Sequence, residues 1–339
     1  MSVKLRRINE QVIVITGATS GIGLSTARMA AERGARLVLA ARADDALDEL
    51  ARELRARGTD VITVTADVGK VDDVERIGAA AISEFGRIDT WVNNAGISIF
   101  GRIEDISPAD HHRLFQTNFW GVVNGSLEAV KRMKLRGGGA LINLGSELSD
   151  HGIPLQGMYA ASKHAVKGFT DSLRMELEKE NAPMSITLVK PSGIDTMFAV
   201  HAKNYMDKEP KLPSPVYAPE LVADAILYAA QYPKRDVFVG GAAKMNSSGA
   251  RFLPRAFDKY VTATMFKNQK SDAPSNPGRR DALHKPDHTR ELREREGVYQ
   301  THERSPYTAA GLRSKQITTA LLGGGALLAA FVLSRRTAR

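Results

Sequence analysis

Val12-Ile13-Val14-Ile15-Thr16-Gly17-Ala18-Thr19-Ser20-Gly21-Ile22-Gly23 runs from an apolar, β-branched stretch straight into a glycine-spaced turn. The first four residues have the length and composition of a buried strand, and a helix is expected to begin near Ile22. Glycine suits such a turn because no Cβ obstructs a tight bend or the close approach of backbone to a pyrophosphate. The free N–H groups and positive dipole end of the helix then face the phosphate. Glycines also occur at strand–helix junctions that bind nothing, so the turn alone leaves both readings open.

Working outward, short β-branched runs alternate with segments of helical period. Strands are expected at Val12–Ile15, Arg36–Ala40, Val61–Ala66, Thr90–Val92, Ala140–Leu144, Ser185–Lys190 and Asp236–Val239. Stretches rich in Ala, Leu, Arg and Glu lie between most of them, such as 43–57 and 71–85. Strands apolar throughout and separated by helices imply a parallel sheet covered on both faces, hence a doubly wound α/β fold of about seven strands with right-handed crossovers.

The chain has 339 residues, with 43% hydrophobic and 25% charged residues, ordinary for a globular protein. One α/β domain over 1–245 uses most of that length. There is no cysteine, which excludes disulfides, thiolate catalysis and cysteine-bound metal; no metal site is expected. The net charge is +9, and residues 271–339 hold 12 Lys+Arg against 7 Asp+Glu. The remaining excess is too mild and scattered to point to nucleic acid. No apolar segment follows Arg6 and Arg7, so no secretory signal is visible, and a cytoplasmic catalytic domain is expected.

Beyond Val239 the pattern changes. Residues 246–270 form a helical extension, in which Leu253, Phe257, Tyr260, Val261, Thr264 and Met265 fall at helical spacing among Arg251, Arg255, Lys259 and Lys267. This reads as an amphipathic helix packed on the domain, or as one leaning on lipid or walling the cleft. Residues 271–313 read as a polar linker, mostly disordered, with a short helix near Thr289–Glu296. Within 314–339, Ile317–Leu333 is a run of 17 residues without charge, flanked by Arg313, Lys315, Arg335, Arg336 and Arg339. As a helix it reaches roughly 25 Å against a hydrocarbon core of roughly 30 Å, a short span helped by snorkelling arginines. A membrane-associated C-terminus, lying on the bilayer or crossing it, is expected.

Tyr159 and Lys163 stand four residues apart in an expected helix from about Gly157 to Glu178, and therefore share a face. A phenol of pKa about 10 is a poor base near neutrality; an adjacent ammonium favours the phenolate and lowers that value. Ser146 follows the fifth expected strand, where its hydroxyl can polarise and position a carbonyl oxygen. By itself Tyr-x-x-x-Lys is an ordinary helix surface pair.

Taken together, Thr16–Gly23, Asn93-Asn94-Ala95-Gly96, Ser146, Tyr159 and Lys163 resemble the short-chain dehydrogenase/reductase family over roughly residues 8–245. The resemblance implies a Rossmann-type sheet and a catalytic tetrad of Asn118, Ser146, Tyr159 and Lys163. In it Asn118 kinks its helix and holds a water linking Lys163 to solvent. It also implies a nicotinamide dinucleotide held by Gly17, Ser20, Gly21, Ile22, Gly23, Asp67, Val68, Asn94, Ala95, Gly96, Tyr159, Lys163, Pro191 and Thr196. Asp67 is the adenine contact and Thr196 the carboxamide contact. After the second strand the chain has Ala40-Ala41-Arg42, with no acid to accept from a ribose 2′-hydroxyl and an arginine able to pair with a 2′-phosphate. NADP(H) is therefore expected over NAD(H). One departure is Ser192 in Pro191-Ser192-Gly193, where the family usually has glycine.

The implied reaction is hydride transfer between nicotinamide and a carbonyl or alcohol. The lid region 194–216 mixes Met197, Phe198, Val200, Tyr205, Met206 and Leu212 with Lys203, Lys208 and Lys211, which fits a bulky lipophilic substrate, one bearing an acidic group included. The alternative is an NADP(H)-binding sensor or membrane-tethered scaffold without turnover. A homodimer or homotetramer, paired through the helices of 109–136 and 157–178, is implied by the resemblance alone.

Overall fold

The structure is a computed structural model that describes residues 3–276, 278–289 and 291–312. Its centre is a seven-stranded parallel sheet: β1 (Val12–Thr16), β2 (Arg36–Ala41), β3 (Val61–Thr65), β4 (Thr90–Asn93), β5 (Gly139–Leu144), β6 (Met184–Pro191) and β7 (Asp236–Val239). The spatial order is β3-β2-β1-β4-β5-β6-β7. Strand order reverses between β1 and β4, which opens a crevice at the carboxyl ends of those strands. All seven expected strands are present, within a residue or so of their expected ends.

Side-chain alternation sends β1 into two cores. Ile13 and Ile15 pack with Leu24, Leu47, Leu50 and Ile226, borne by α1 (Gly21–Glu32), α2 (Asp44–Ala56) and α7 (Pro219–Gln231). Val12 and Val14 pack with Val74, Ile77, Met133 and Leu173, borne by α3 (Val71–Phe85), α5 (Gly121–Met133) and α6 (Gly157–Lys179). Burial on both faces is why the central strands read as unbroken apolar runs. The edge strand β3 is only partly buried and carries threonine. Between α3 and α5 lies α4 (Pro108–Phe115), with Pro108 at its first position and the Ser107 hydroxyl accepting from Asp110 N–H at 3.2 Å.

The helical extension expected over 246–270 is two helices, α8 (Gly241–Phe252) and α9 (Pro254–Asn268), parted where Pro254 cannot continue the first. It does not sink an apolar stripe into the domain: Val261 is the buried residue of α9, while Phe252, Leu253 and Tyr260 are more than half exposed. Phe257 meets the His151 ring at 4.8 Å, and the Gln269 amide donates to the Pro154 carbonyl.

The described part of 271–312 differs from the expected disordered linker. No helix forms over 289–296 among the described residues, and Leu292 is left-handed (φ 56°). The segment runs as a strap along the carboxyl-end crevice. Lys270–Pro274 pairs with Lys208–Pro210, and Thr301–His302 joins Val216–Tyr217, which also pairs with Gly193–Ile194. Leu283 and Leu312 are buried in the body. The rest is tied down by polar bonds, among them Gly297 N–H and Thr301 Oγ1 donating to the Asp195 carboxylate at 3.1 and 3.0 Å. Among the described residues no helix is long and apolar enough to cross a membrane; the run Ile317–Leu333 lies outside them.

Candidate active site

One cleft at the carboxyl ends of the strands is lined by Gly17, Ser20, Gly21, Ile22, Arg42, Asp67, Val68, Asn94, Ala95, Gly96, Ser146, Tyr159, Lys163, Pro191 and Thr196. Of the residues expected at the site, Gly23 and Asn118 stand behind this wall.

The glycine turn follows β1 and opens α1. The protein itself requires its glycines. Gly17 has φ +65°, and a Cβ there would lie 2.8 Å from Ala95 Cα; a Cβ on Gly23 would lie 2.0 Å from the Gly17 carbonyl oxygen. Gly21 also has positive φ, and its Cβ position is 3.0 Å from Thr196 Cβ, so the residue expected at the nicotinamide end touches the turn. Asn94 Nδ2 donates to the carbonyls of Thr16 and Gly17 at 2.9 and 3.1 Å, binding the β4 loop to the turn. Asn93 is buried among Trp91, Ser126 and Asn143, a structural tie. One N–H expected to be free at this helix end is engaged: Gly21 N–H donates to the Arg293 carbonyl of the strap at 2.9 Å.

Tyr159 and Lys163 head a buried stripe of α6 that continues through Val166, Thr170 and Leu173. The stripe anchors the helix in the core and aims its first turns at the cleft. The Ser146 hydroxyl accepts from Leu148 N–H at 3.1 Å and stands near enough to Tyr159 to favour its phenolate, while Ser146 N–H donates to Ser149 Oγ. That reciprocal cap fixes the serine after β5. Lys163 Nζ lies 5.6 Å from the Tyr159 ring centre and donates to the Leu144 carbonyl at 2.8 Å. The Phe198 ring closes on Tyr159 at 5.2 Å.

Asn118 lies in a π-helical turn, Gln116–Trp120, between α4 and α5. This wider turn supplies the kink that the resemblance implies. Its side chain accepts from Ile97 N–H and donates to the Ile97 carbonyl, both at 2.9 Å, and donates to Ser162 Oγ at 3.2 Å. Asn118 thereby holds the loop after β4 against α6.

Electrostatics correct one expectation. Burial pushes the Tyr159 phenol well above its ordinary value, the neighbouring Glu147 carboxylate pushes the same way, and the Ser146 hydrogen bond only partly opposes them. Burial also pulls Lys163 down to about 8. Desolvation sets the direction, so among these side chains the phenol keeps its proton at neutral pH.

Three residues of the site carry no local signal or one passed over. Arg113 Nη2 pairs with Asp67 Oδ2 at 2.7 Å while Gly69 N–H donates to Oδ1, so both oxygens of the expected adenine contact are engaged. Glu147 directly follows Ser146, and an acid beside the serine expected to be catalytic could have drawn notice. It accepts from Ser192 Oγ at 3.2 Å and Asn246 Nδ2 at 2.8 Å, and burial raises its pKa. Ser192, the departure from the family pattern, thus supplies a hydrogen bond that glycine could not. Glu291, of the strap, lines the cleft beside Thr19 and Arg42. The Arg42 guanidinium itself donates to the Ala282 and Leu283 carbonyls.

A nicotinamide dinucleotide fits this cleft on its chemistry. A cationic side chain and the glycine turn lie along it with the Tyr–Lys–Ser group, and two polar atoms on its lining residues, Thr117 Oγ1 and Glu291 Oε2, are buried without partners among the described residues. Among the described residues the cluster able to ligate a metal is Asp44, Asp45 and His288, all exposed.

A family model described as short chain dehydrogenase matches residues 11–206. The chain is 52% identical over 284 residues to "Uncharacterized oxidoreductase YxnA" of Bacillus subtilis (strain 168), covering 83% of this chain and 80% of that one. An alcohol dehydrogenase from the archaeon Thermococcus sibiricus, solved with 5-hydroxy-NADP, superposes with TM-score 0.59 at 28% identity, covering 67% of this chain and 95% of that one. A short-chain dehydrogenase/reductase from Burkholderia phymatum, solved with NAD, shares the fold at TM-score 0.66 and 24% identity, over 81% of this chain and all of that one.

Proposed function

Because the chain belongs to the short-chain dehydrogenase/reductase family and is an oxidoreductase, we propose that it is an NADP(H)-preferring reductase of lipophilic carbonyl compounds. The observation that carries this is the joining of Tyr159, Ser146 and Lys163 in one cleft with the glycine turn and Thr196.

A nicotinamide cofactor bound there supplies or accepts the hydride. The rest is the work of the chain. Tyr159, kept protonated by burial, gives its proton to the substrate oxygen as the carbonyl becomes an alcohol. Ser146 donates to the same oxygen and fixes its pose. Lys163 holds a positive charge below pH about 8 and favours the phenolate left behind. Asn118 positions the β4 loop against α6 through Ile97 and Ser162.

The NADP(H) preference rests on Arg42 in the wall after β2, where Ala40 and Ala41 offer no acid. Its bonds to two carbonyls hold the guanidinium without neutralising it. The substrate preference rests on apolar residues that line the cleft with Tyr159, namely Leu148, Ile153, Met197, Phe198 and Leu212. Two of the three lid lysines are engaged within the protein. Lys203 pairs with Asp281 at 3.4 Å, and Lys208 donates to the Asp272 carbonyl.

We place membrane attachment in Ile317–Leu333 on its composition, and pairing of subunits on α5 and α6, which leave Leu127 and Met175 more than half exposed. Reduced-cofactor consumption by the full chain with NADPH and NADH, against apolar ketones and aldehydes, tests the central reading. Turnover favouring NADPH is expected. Turnover favouring NADH defeats the cofactor preference, and activity confined to small polar carbonyls defeats the substrate class.

A further inference from the structure

We propose that Glu291 is a cofactor-specificity residue. Carried in by the strap, it replaces the acid that β2 lacks and reads the 2′ position of the adenosine ribose against Arg42. This rests on the reading of the cleft as a nicotinamide dinucleotide site. It goes beyond it by assigning a determinant outside residues 11–206, the extent of the family match.

The placement is fixed by the three residues that follow Glu291. Leu292 N–H donates to the Thr19 carbonyl at 2.8 Å, and Gly21 N–H donates to the Arg293 carbonyl at 2.9 Å, so the strap pairs with the backbone of the glycine turn itself. Glu294 then locks onto α1, accepting from Ser25 Oγ at 3.0 Å and Arg28 Nη1 at 2.7 Å. Leu292, between them, adopts a left-handed backbone that a branched side chain seldom takes. Such a conformation persists where its surroundings over-determine it, and here it sets Glu291 against the cleft while Glu294 faces the helix. Burial pushes the Glu291 carboxyl up, while the Thr19 side chain and the Arg42 guanidinium favour its ionised form. Glu291 Oε2 is buried without a partner among the described residues. An acceptor so placed beside the arginine suits a donor hydroxyl. Ionised, it opposes a phosphate at the same spot. Arg42 and Glu291 therefore pull the preference in opposite directions, and the enzyme accepts both cofactors with a narrower bias than Arg42 alone would set.

The test measures dissociation constants of NADPH and NADH by calorimetry on the full chain, for the native protein, Glu291→Gln, Glu291→Ala and Arg42→Ala. Glu291→Gln preserves shape and removes the charge. It is expected to tighten NADPH and weaken NADH, raising the ratio of the two constants about tenfold, with Glu291→Ala moving it the same way. Arg42→Ala is expected to weaken NADPH alone. If both Glu291 variants shift the two constants together, or leave their ratio within about twofold, Glu291 merely walls the cleft and the proposal is overturned. A native protein that binds NADH more tightly than NADPH would refute the NADP(H) preference proposed above. The change of ratio on Glu291→Gln would still decide the role of Glu291.

Discussion

Two regions meet at the cleft and are built on different principles. The sheet-borne region, from the glycine turn to Lys163, hangs its functional groups on the ends of strands and helices whose other residues are core: Tyr159 and Lys163 share a stripe with Val166 and Leu173. The strap, the described part of 271–312, has Leu283 and Leu312 as its large buried apolar anchors and otherwise holds mainly through bonds to backbone and ion pairs. Precision in the first comes from packing, which tolerates little change of volume. Precision in the second comes from many weak bonds, which can be removed one at a time. Chemistry is expected to be placed by the first region, and cofactor grip and choice to be tuned by the second.

Perturbations of graded size break or sharpen that contrast. Tyr159→Phe, which deletes one hydroxyl from the sheet-borne region, should lower kcat by about a thousandfold or more while the cofactor Kd stays within about twofold. Steady-state kinetics beside calorimetry reads both. Gly23→Ala puts a methyl group 2.0 Å from the Gly17 carbonyl oxygen. It should destabilise the protein by about 2 kcal/mol or more and weaken both cofactors, read by denaturant titration and by binding. Leu283→Ala in the strap should cost roughly 2 kcal/mol by leaving a cavity, yet leave kcat at saturating cofactor nearly unchanged; a collapse of kcat would join the strap to the chemistry and dissolve the contrast. The pH profile of carbonyl reduction should fall above pH about 8, where Lys163 loses the charge that favours the phenolate. Tyr159, held higher still, does not limit that range. A rate level to pH about 10 would contradict this assignment. Smallest of all, Arg295→Ala removes ion pairs with Glu220 and Glu303 at the partly exposed end of the strap. It should change stability by under about 1 kcal/mol in a melting experiment.

The same contrast explains what was legible in the sequence. Strands buried on both faces announce themselves as apolar runs, and a four-residue helical step places Tyr159 over Lys163 without any knowledge of the rest. The site residues read from motifs accordingly line one cleft, with Gly23 and Asn118 just behind it. The strap left no such trace. Its order comes from partners more than a hundred residues away, such as Arg42 with Ala282 and Asp195 with Gly297, and a polar, proline-bearing stretch has no periodicity to betray them. Glu291 escaped for that reason, and Arg113, on α4, because its partner Asp67 lies 46 residues away. The phenol's pKa escaped for another: spacing shows that an ammonium is near, but not how deeply both groups are buried. The split at Pro254 was open to a plain reading of proline, yet helical spacing on either side concealed it.

The most direct test of the account is a single comparison of the native full chain with Tyr159→Phe, following NADPH consumption with an apolar ketone and measuring NADPH binding in parallel. The account predicts turnover in the native protein, loss of that turnover in the variant, and equal binding in both. A variant that turns over at the native rate, or a native protein that binds no nicotinamide dinucleotide, would contradict it.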